Sequence, residues 1–274
     1  MGKLIFIDID GTIRWFDGRI PESAKSAIRK ARKNGHEVCI CSGRPLSLIE
    51  EEVMEIGFDG VVSCAGTYVT YHGNCIRETC FEEGLLHELC GYLMERGCLI
   101  ELQRYDRTYL QKCQEGIYQE LMNEMRESFE DENARDLEPY PGLTDHYREI
   151  ANVEKVMFFS REISYQSVLE DWTERVNMTP FSIPTLGIEA GEISPANVNK
   201  TSGILSILEH SSYKREDIIA IGDSDNDIDM LQFAGVGIAM GNGTEGAKKA
   251  ADWQTDELLN DGLEKAFRKL GLIS

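Results

Sequence analysis

Leu4-Ile5-Phe6-Ile7-Asp8-Ile9-Asp10-Gly11-Thr12 is the stretch on which the reading of this chain turns. Lys3 to Ile9 is rich in β-branched and aromatic residues and has no 3.6-residue period, which predicts a buried strand. Two carboxylates then fall at its carboxyl end, where open parallel sheets bind their ligands. Glycine after Asp10 permits a sharp turn and a close backbone approach to a bound group. Ending a buried strand in two acids is costly unless a cation or water compensates. One carboxylate can attack phosphorus while the other handles protons, with Mg²⁺ neutralising the charge that gathers there. A plain Asp-Gly turn is the competing reading, because motifs this short also arise by chance.

Working outward, Pro21 to Asn34 predicts a helix with Ala24, Ala27, Ile28 and Ala31 as its apolar stripe. Glu37 to Cys41 predicts a second buried strand, Leu46 to Ile56 a helix, and Val61 to Cys64 a third strand. Strand and helix alternating over short connections indicate an α/β fold, a doubly wound parallel sheet of Rossmann-like type. The same grammar returns late in the chain. Thr201 to Leu208 predicts a helix, Ile218 to Ile221 a strand, Asp227 to Ala234 a helix, Val236 to Met240 a strand and Gly246 to Ala251 a helix. The middle has a different texture: Glu115 to Glu138 carries nine acids and two bases, an acidic helix running into a loop at Pro139 and Pro141. Val156 to Phe159 predicts a strand, Tyr165 to Val176 a helix and Thr179 to Ile183 another strand. The expected organisation is a core in two parts, 1–83 and 191–274, with an inserted α+β cap domain at 84–190. Hinges are expected near Glu82 to Gly84 and Thr185 to Ala190.

A second acidic constellation follows the Ile218 to Ile221 strand: Gly222-Asp223-Ser224-Asp225-Asn226-Asp227. Three acids at a strand end suit a hard cation such as Mg²⁺, which takes oxygen ligands and keeps several waters. An Asp-rich turn capping the next helix is the plainer alternative, and Asp227 fits it in part. Ser42-Gly43 follows the second strand and opens a helix, so a hydroxyl and backbone N–H groups can cradle phosphate there. A simple Ser cap would look the same. Lys200 begins a helix, where a cation is unfavourable against the helix dipole unless an anion lies beside it.

Taken together and in this order, these residues resemble the haloacid dehalogenase superfamily. Asp8 to Thr12 is similar to its first motif, Ser42 in Cys41-Ser42-Gly43-Arg44 to its second, Lys200 to its third and Gly222 to Asp227 to its fourth. The Gly-Asp-Ser-Asp-Asn-Asp form, the Ser-Gly-Arg and the long insertion are most similar to Cof-type phosphatases. The resemblance implies that Asp8 is the nucleophile that forms an aspartyl-phosphate. It implies that Asp10 protonates the leaving oxygen and then activates water. Mg²⁺ would be held by Asp8, the backbone carbonyl of Asp10 and Asp223, with Asp227 an acid just outside that set. Ser42, Gly43, Lys200 and Asn226 would hold the phosphoryl group. Ala65-Gly66 stands where many relatives carry Asn-Gly, and Gly191 to Val198 is an unusual lead-in to the third motif.

The chain has 274 residues, 48 acids and 28 bases, for a net charge of −20. A negative potential of that size disfavours nucleic acid and anionic membrane as partners. The resemblance implies a small phosphorylated metabolite, a sugar phosphate above all, as the substrate, although a net negative charge is awkward for an anion. Leu4 to Ile7 is too short for a signal segment or a membrane span, and the eight cysteines read as reduced thiols. A cytoplasmic enzyme is the expectation. Two alternatives stay open: a phosphomutase using the same site, and a phospho-aspartyl acceptor of the response-regulator kind, which would not need Asp10. Arg104, Arg107 and Lys112 with Tyr105 and Tyr109 form a basic-aromatic patch, either turned to substrate or an ordinary exposed hairpin.

Overall fold

β1, Leu4–Ile7, is buried along its whole length and lies inside an eight-stranded sheet. The computed structural model describes residues 2–128, 141–180 and 187–274. The other strands of this sheet are β2 (Glu37–Cys41), β3 (Gly60–Ser63), β4 (Tyr68–Tyr71), β5 (Asn74–Glu78), β12 (Ile218–Gly222), β13 (Val236–Ala239) and β14 (Trp253–Gln254). Their order is β14-β13-β12-β1-β2-β3-β4-β5. β12, β13, β14, β2 and β3 run parallel with β1, whereas β4 is antiparallel to β3. Ile7 is level with Ile40 of β2 and Ile221 of β12. That register brings the ends of three strands, far apart in sequence, to one edge of the sheet.

Side chains alternate across β1 because successive Cβ atoms point to opposite faces. Ile5 and Ile7 pack with α1 (Glu22–Lys33) and α9 (Gly262–Lys269) through Ala27, Ile28, Ala31, Leu263, Ala266 and Phe267. Leu4 and Phe6 pack on the other face with α6 (Lys200–Glu209), α7 (Ile228–Phe233) and α8 (Glu245–Ala250). Helices on both faces make the core doubly wound, as the alternation of elements implied.

The chain forms two compact units, Met1–Arg44 with Ile49–Arg77 and Asn199–Ser274, and Pro45–Leu48 with Glu78–Val198. The second unit has a six-stranded sheet in the order β10-β11-β9-β6-β7-β8. These strands are Val176–Pro180, Glu189–Pro195, Lys155–Ser160, Leu99–Gln103, Thr108–Gln111 and Gly142–Thr144 respectively. It is antiparallel except where β7 meets β8. α3 (Glu83–Glu95) and α5 (Tyr165–Trp172) cover Ile100, Leu102, Val156 and Phe158 on one face. α4 (Glu115–Ser128) covers Leu99, Leu110, Met157 and Phe159 on the other through Tyr118 and Leu121. Glu189–Pro195 pairs with β9, so Gly191 to Val198 clusters with the second unit, past the expected boundary at 190.

Several expectations change in detail. The helix expected from Leu46 to Ile56 is a 3₁₀ turn, Leu46–Leu48, and a single turn α2, Glu51–Met54, because Glu50 is extended between them. The helix expected to reach Val176 stops at Trp172, and Val176 already belongs to β10. Residues 181–183 of the strand expected there, 185–186 of the second hinge, and 129–140 of the acidic stretch lie outside the described residues. All eight cysteines are free, and none of the helices described is long and apolar enough to cross a membrane.

α6 reaches the sheet through two glycines. A Cβ on Gly203 would collide with Val62 and come within 3.1 Å of the Gly66 Cα, and Gly66 itself, at φ +106°, faces the Asn199 carbonyl. Because Lys200 opens α6, this close approach fixes where its side chain enters the core. Gly203→Val is therefore expected to cost about 1–3 kcal/mol in chemical denaturation and to impair the Lys200 contacts. An unchanged denaturation midpoint would contradict this packing.

Candidate active site

The site grows from the turn that ends β1. The Ile9 carbonyl accepts hydrogen bonds from the backbone N–H groups of Thr12, Ile13 and Arg14 at 3.2, 2.8 and 2.9 Å. Gly11 takes φ +79°, and a Cβ there would overlap the Asp223 carboxylate. The coil therefore seats its backbone directly against the acid at the end of β12. Thr12 Oγ1 donates to Asp223 Oδ1 at 3.0 Å, and Asn242 Nδ2 donates to the Gly11 carbonyl at 2.9 Å.

Lys200 lies at the centre of the cluster and is 2% exposed. Its Nζ donates to Asp8 Oδ1 at 2.6 Å, to Asp227 Oδ1 at 2.5 Å and to Asn226 Oδ1 at 3.2 Å. The other oxygen of Asp227 accepts the backbone N–H groups of Asp223 and Ser224 at 2.9 and 3.0 Å. Asp227 thus closes the turn and anchors the ammonium at once. The Asn199 side chain caps α6 by accepting from Ser202 N, and the anions beside Lys200 offset the unfavourable place of a cation at a helix start.

The electrostatics follow from burial. Burial raises the Asp8 carboxyl to about 7, with Lys200 pulling it down and Asp227 and Asp10 pushing it up. Burial and the neighbouring Asp8 and Asp227 raise Asp223 to about 9. Burial disfavours the charge on Lys200, but Asp227 and Asp8 outweigh it and keep the ammonium protonated. The Cys41 thiol is pushed well up by burial and remains a neutral neighbour. Carboxylate oxygens of Asp8, Asp223 and Asp227 all lie within 4.8 Å of one another. Three buried acids around one lysine lack positive charge, and their oxygens match the donor set of a hard divalent cation. Both Asp227 oxygens are already engaged, which leaves Asp8 and Asp223 as the side chains fitted to such an ion.

The remaining residues singled out in the sequence are placed as follows. Ser42 and Gly43 follow β2 at the same sheet edge; Ser42 is buried, and its Oγ accepts the Arg44 backbone N–H at 3.2 Å. Asp10 is 30% exposed at its side chain and is held by Arg44 and Arg14. Asp225 does not join the acidic cluster: it is exposed and accepts from Thr244 Oγ1 at 2.6 Å. Ala65 occupies the left-handed region at φ 53°, and its N–H donates to the Ser42 carbonyl at 2.9 Å. In the basic-aromatic patch, Arg104 pairs with Asp106 at 3.0 Å and Lys112 with Asp145 at 2.8 Å, while Tyr109 packs against the apolar core of the second unit. Arg14, Glu50 and Asn242 escape the sequence reading; the Gly241-Asn242-Gly243 turn is the only local signal for the last.

A profile of haloacid dehalogenase-like hydrolases matches residues 5–267. The phosphoglycolate phosphatase of Methanosarcina acetivorans is 28% identical over 274 residues, covering 98% of this chain and 96% of that protein. The 5-amino-6-(5-phospho-D-ribitylamino)uracil phosphatase YitU of Bacillus subtilis is 27% identical over 278 residues, covering 97% and 96%. The solved structure of a subclass IIB sugar phosphatase superposes with a TM-score of 0.80 at 23% identity, covering 99% of this chain and all of that one.

The raised carboxyls set the sign of a pH effect. Without metal, the folded protein holds protons on Asp8 and Asp223 that the unfolded chain has already released above the ordinary carboxylate range. The native state then binds more protons, so these groups lower stability progressively as pH rises towards about 7 and about 9. In EDTA, Asp223→Asn should raise the melting temperature at about pH 8 and flatten its decline from about pH 5. Mg²⁺ should stabilise the unaltered protein more at the higher pH and stabilise the variant little. A variant less stable than the parent in EDTA at the higher pH would refute the assignment.

Proposed function

The chain belongs to the haloacid dehalogenase-like hydrolase family, and from that premise we propose that it is a Mg²⁺-dependent phosphatase of small phosphorylated metabolites, sugar phosphates above all. The observation that carries this reading is the Lys200 ammonium, bonded to both Asp8 and Asp227 at the strand end where Asp223 completes a buried set of acids. Asp8 Oδ attacks phosphorus and the bond from phosphorus to the leaving oxygen breaks, giving an aspartyl-phosphate. Asp10 gives its proton to that oxygen. It then takes a proton from water, which attacks phosphorus, frees Asp8 and releases inorganic phosphate. Lys200, Asn226, Ser42 and Gly43 hold the phosphoryl oxygens, and Lys200 offsets carboxylate charge while doing so.

Asp8, the Asp10 carbonyl and Asp223 are the groups suited to hold Mg²⁺, with Asp227 positioned just outside them by its bonds to Lys200 and the turn. When bound, the ion neutralises charge on the phosphoryl oxygens and the attacking carboxylate. We assign substrate choice to the inserted segment, 84–190 by the sequence, acting as a cap. The relatives named above act on phosphorylated small molecules by their names. The net charge of −20 accords with a cytoplasmic enzyme that avoids nucleic acid and membranes. A leaving-group acid at Asp10 favours hydrolysis over a static phospho-aspartyl acceptor.

The test is a screen of sugar phosphates, nucleotides and cofactor phosphates with Mg²⁺ and with EDTA. Phosphate should be released from sugar phosphates only with metal, without transfer to a second hydroxyl of the substrate. Asp8→Asn should abolish turnover on every substrate accepted. Substantial residual turnover in that variant, or an isomerised phosphate ester as the main product, would overturn the reading.

A further inference from the structure

The coil after β1 turns the chain back so that Arg14 lies over Asp10, four residues earlier. Arg14 is only 5% exposed. Its Nη1 donates to Asp10 Oδ1 at 3.2 Å, and its Nη2 lies 3.2 Å from Glu50 Oε1. Arg44 makes the same two connections from the end of β2. Its Nε donates to Asp10 Oδ2 at 2.6 Å, its Nη2 to Asp10 Oδ1 at 3.0 Å, and its Nη1 to Glu50 Oε1 at 3.3 Å. Asp10, Arg14, Glu50 and Arg44 therefore close a ring of alternating charge. Glu50 is the extended residue that divides the helix expected from Leu46 to Ile56, so the break in that helix places its carboxylate where both guanidiniums can reach it.

We propose that Arg14 and Glu50 are positioning residues for Asp10. The proposal rests on the phosphatase reading, in which Asp10 exchanges a proton first with the leaving oxygen and then with water. A carboxyl group on a two-bond side chain with 30% exposure can rotate freely unless both oxygens are held. Arg44 supplies a two-point grip on them, and Arg14 adds a second donor to Oδ1. Glu50 is itself a carboxylate and does not hydrogen-bond Asp10. It acts through the arginines, since its Oε1 is the common acceptor on which both guanidiniums rest. Arginine suits this task because its planar fork can bridge two carboxylates at once, which the single point of a lysine ammonium cannot. Stability alone is a weak account of such a ring, since half-buried ion pairs contribute little net folding energy.

The reaction supplies a readout that a merely structural role would not move. Protonation matters most when the leaving group is a poor one, such as a sugar alkoxide, and little when it is a nitrophenolate. Arg14→Leu and Glu50→Gln should each lower kcat on the best sugar phosphate of the screen by about tenfold or more, with KM changed less than about twofold. With p-nitrophenyl phosphate, the pre-steady-state burst of nitrophenolate should keep its rate while the following steady state slows, because Asp10 is still needed to activate water. Arg14→Lys should recover only part of the loss. Melting temperatures establish that each variant is folded, and Glu50→Gln, at a one-third exposed site, carries the test if Arg14→Leu is not. Equal losses in the burst and in sugar phosphate turnover, or no loss in either, would overturn the positioning role. Those results leave the phosphatase reading standing, because that reading falls with retained turnover in Asp8→Asn or with an isomerised phosphate ester as the main product.

Discussion

One ammonium ties the beginning of this chain to its end. Lys200 opens α6, Asp8 follows β1 and Asp227 follows β12, and their charged atoms meet within 2.6 Å at a buried place. Water screens such contacts little, so removing Lys200 would strand the buried acids and cost about 3–5 kcal/mol. The sheet register makes the meeting possible, because β1 runs between β2 and β12 with their ends level. The two glycines under α6 then let the helix come close enough for a long side chain to reach the acids. Fold and site are in this sense a single constraint.

The same contacts set the chemistry. Burial first, and the neighbouring acids after it, raise the carboxyls of Asp8 and Asp223, and Lys200 does not offset this fully. That shortage of positive charge is the physical basis for expecting a divalent cation and an anionic phosphoryl group in one place. It also bears on the net charge of −20, which at first sight is awkward for a protein that handles phosphate esters. Global charge governs solubility and the polyanions a protein avoids, whereas a site is governed by its few nearest charges. The arginine ring around Asp10 is a second, locally balanced island in that acidic field.

What could be read from the sequence divides along physical lines. Asp8-Ile9-Asp10-Gly11-Thr12 and Gly222 to Asp227 are contiguous strings at the ends of apolar runs, so both their residues and their place at a sheet edge were visible. Lys200 was harder, since a lone lysine gives no sign of burial; only its awkward position at a helix start hinted at anionic neighbours. Arg14 and Glu50 gave no sign at all, because their partners are brought together by a tight coil and by a break in a helix. That break was hidden by Leu46, Leu48, Ile49, Val53 and Ile56, whose apolar spacing runs through it. The stretches of β4, β5, β8, β11, β14, α3 and α9 carry no expectation in the sequence, although Leu263, Ala266 and Phe267 keep a helical period within α9. The Asp-rich loop was read one acid too generously, since Asp225 turns outward to Thr244.

The account is most directly tested at Asp8 itself. The protein should be quenched in acid during steady turnover of a sugar phosphate with Mg²⁺, then digested, and the phosphoryl group located by mass spectrometry. The phosphoryl group should be found on the peptide that contains Asp8 and should be absent when EDTA is present. Recovery of the phosphoryl group on any other residue, during turnover that proceeds at full rate, would contradict the central claim.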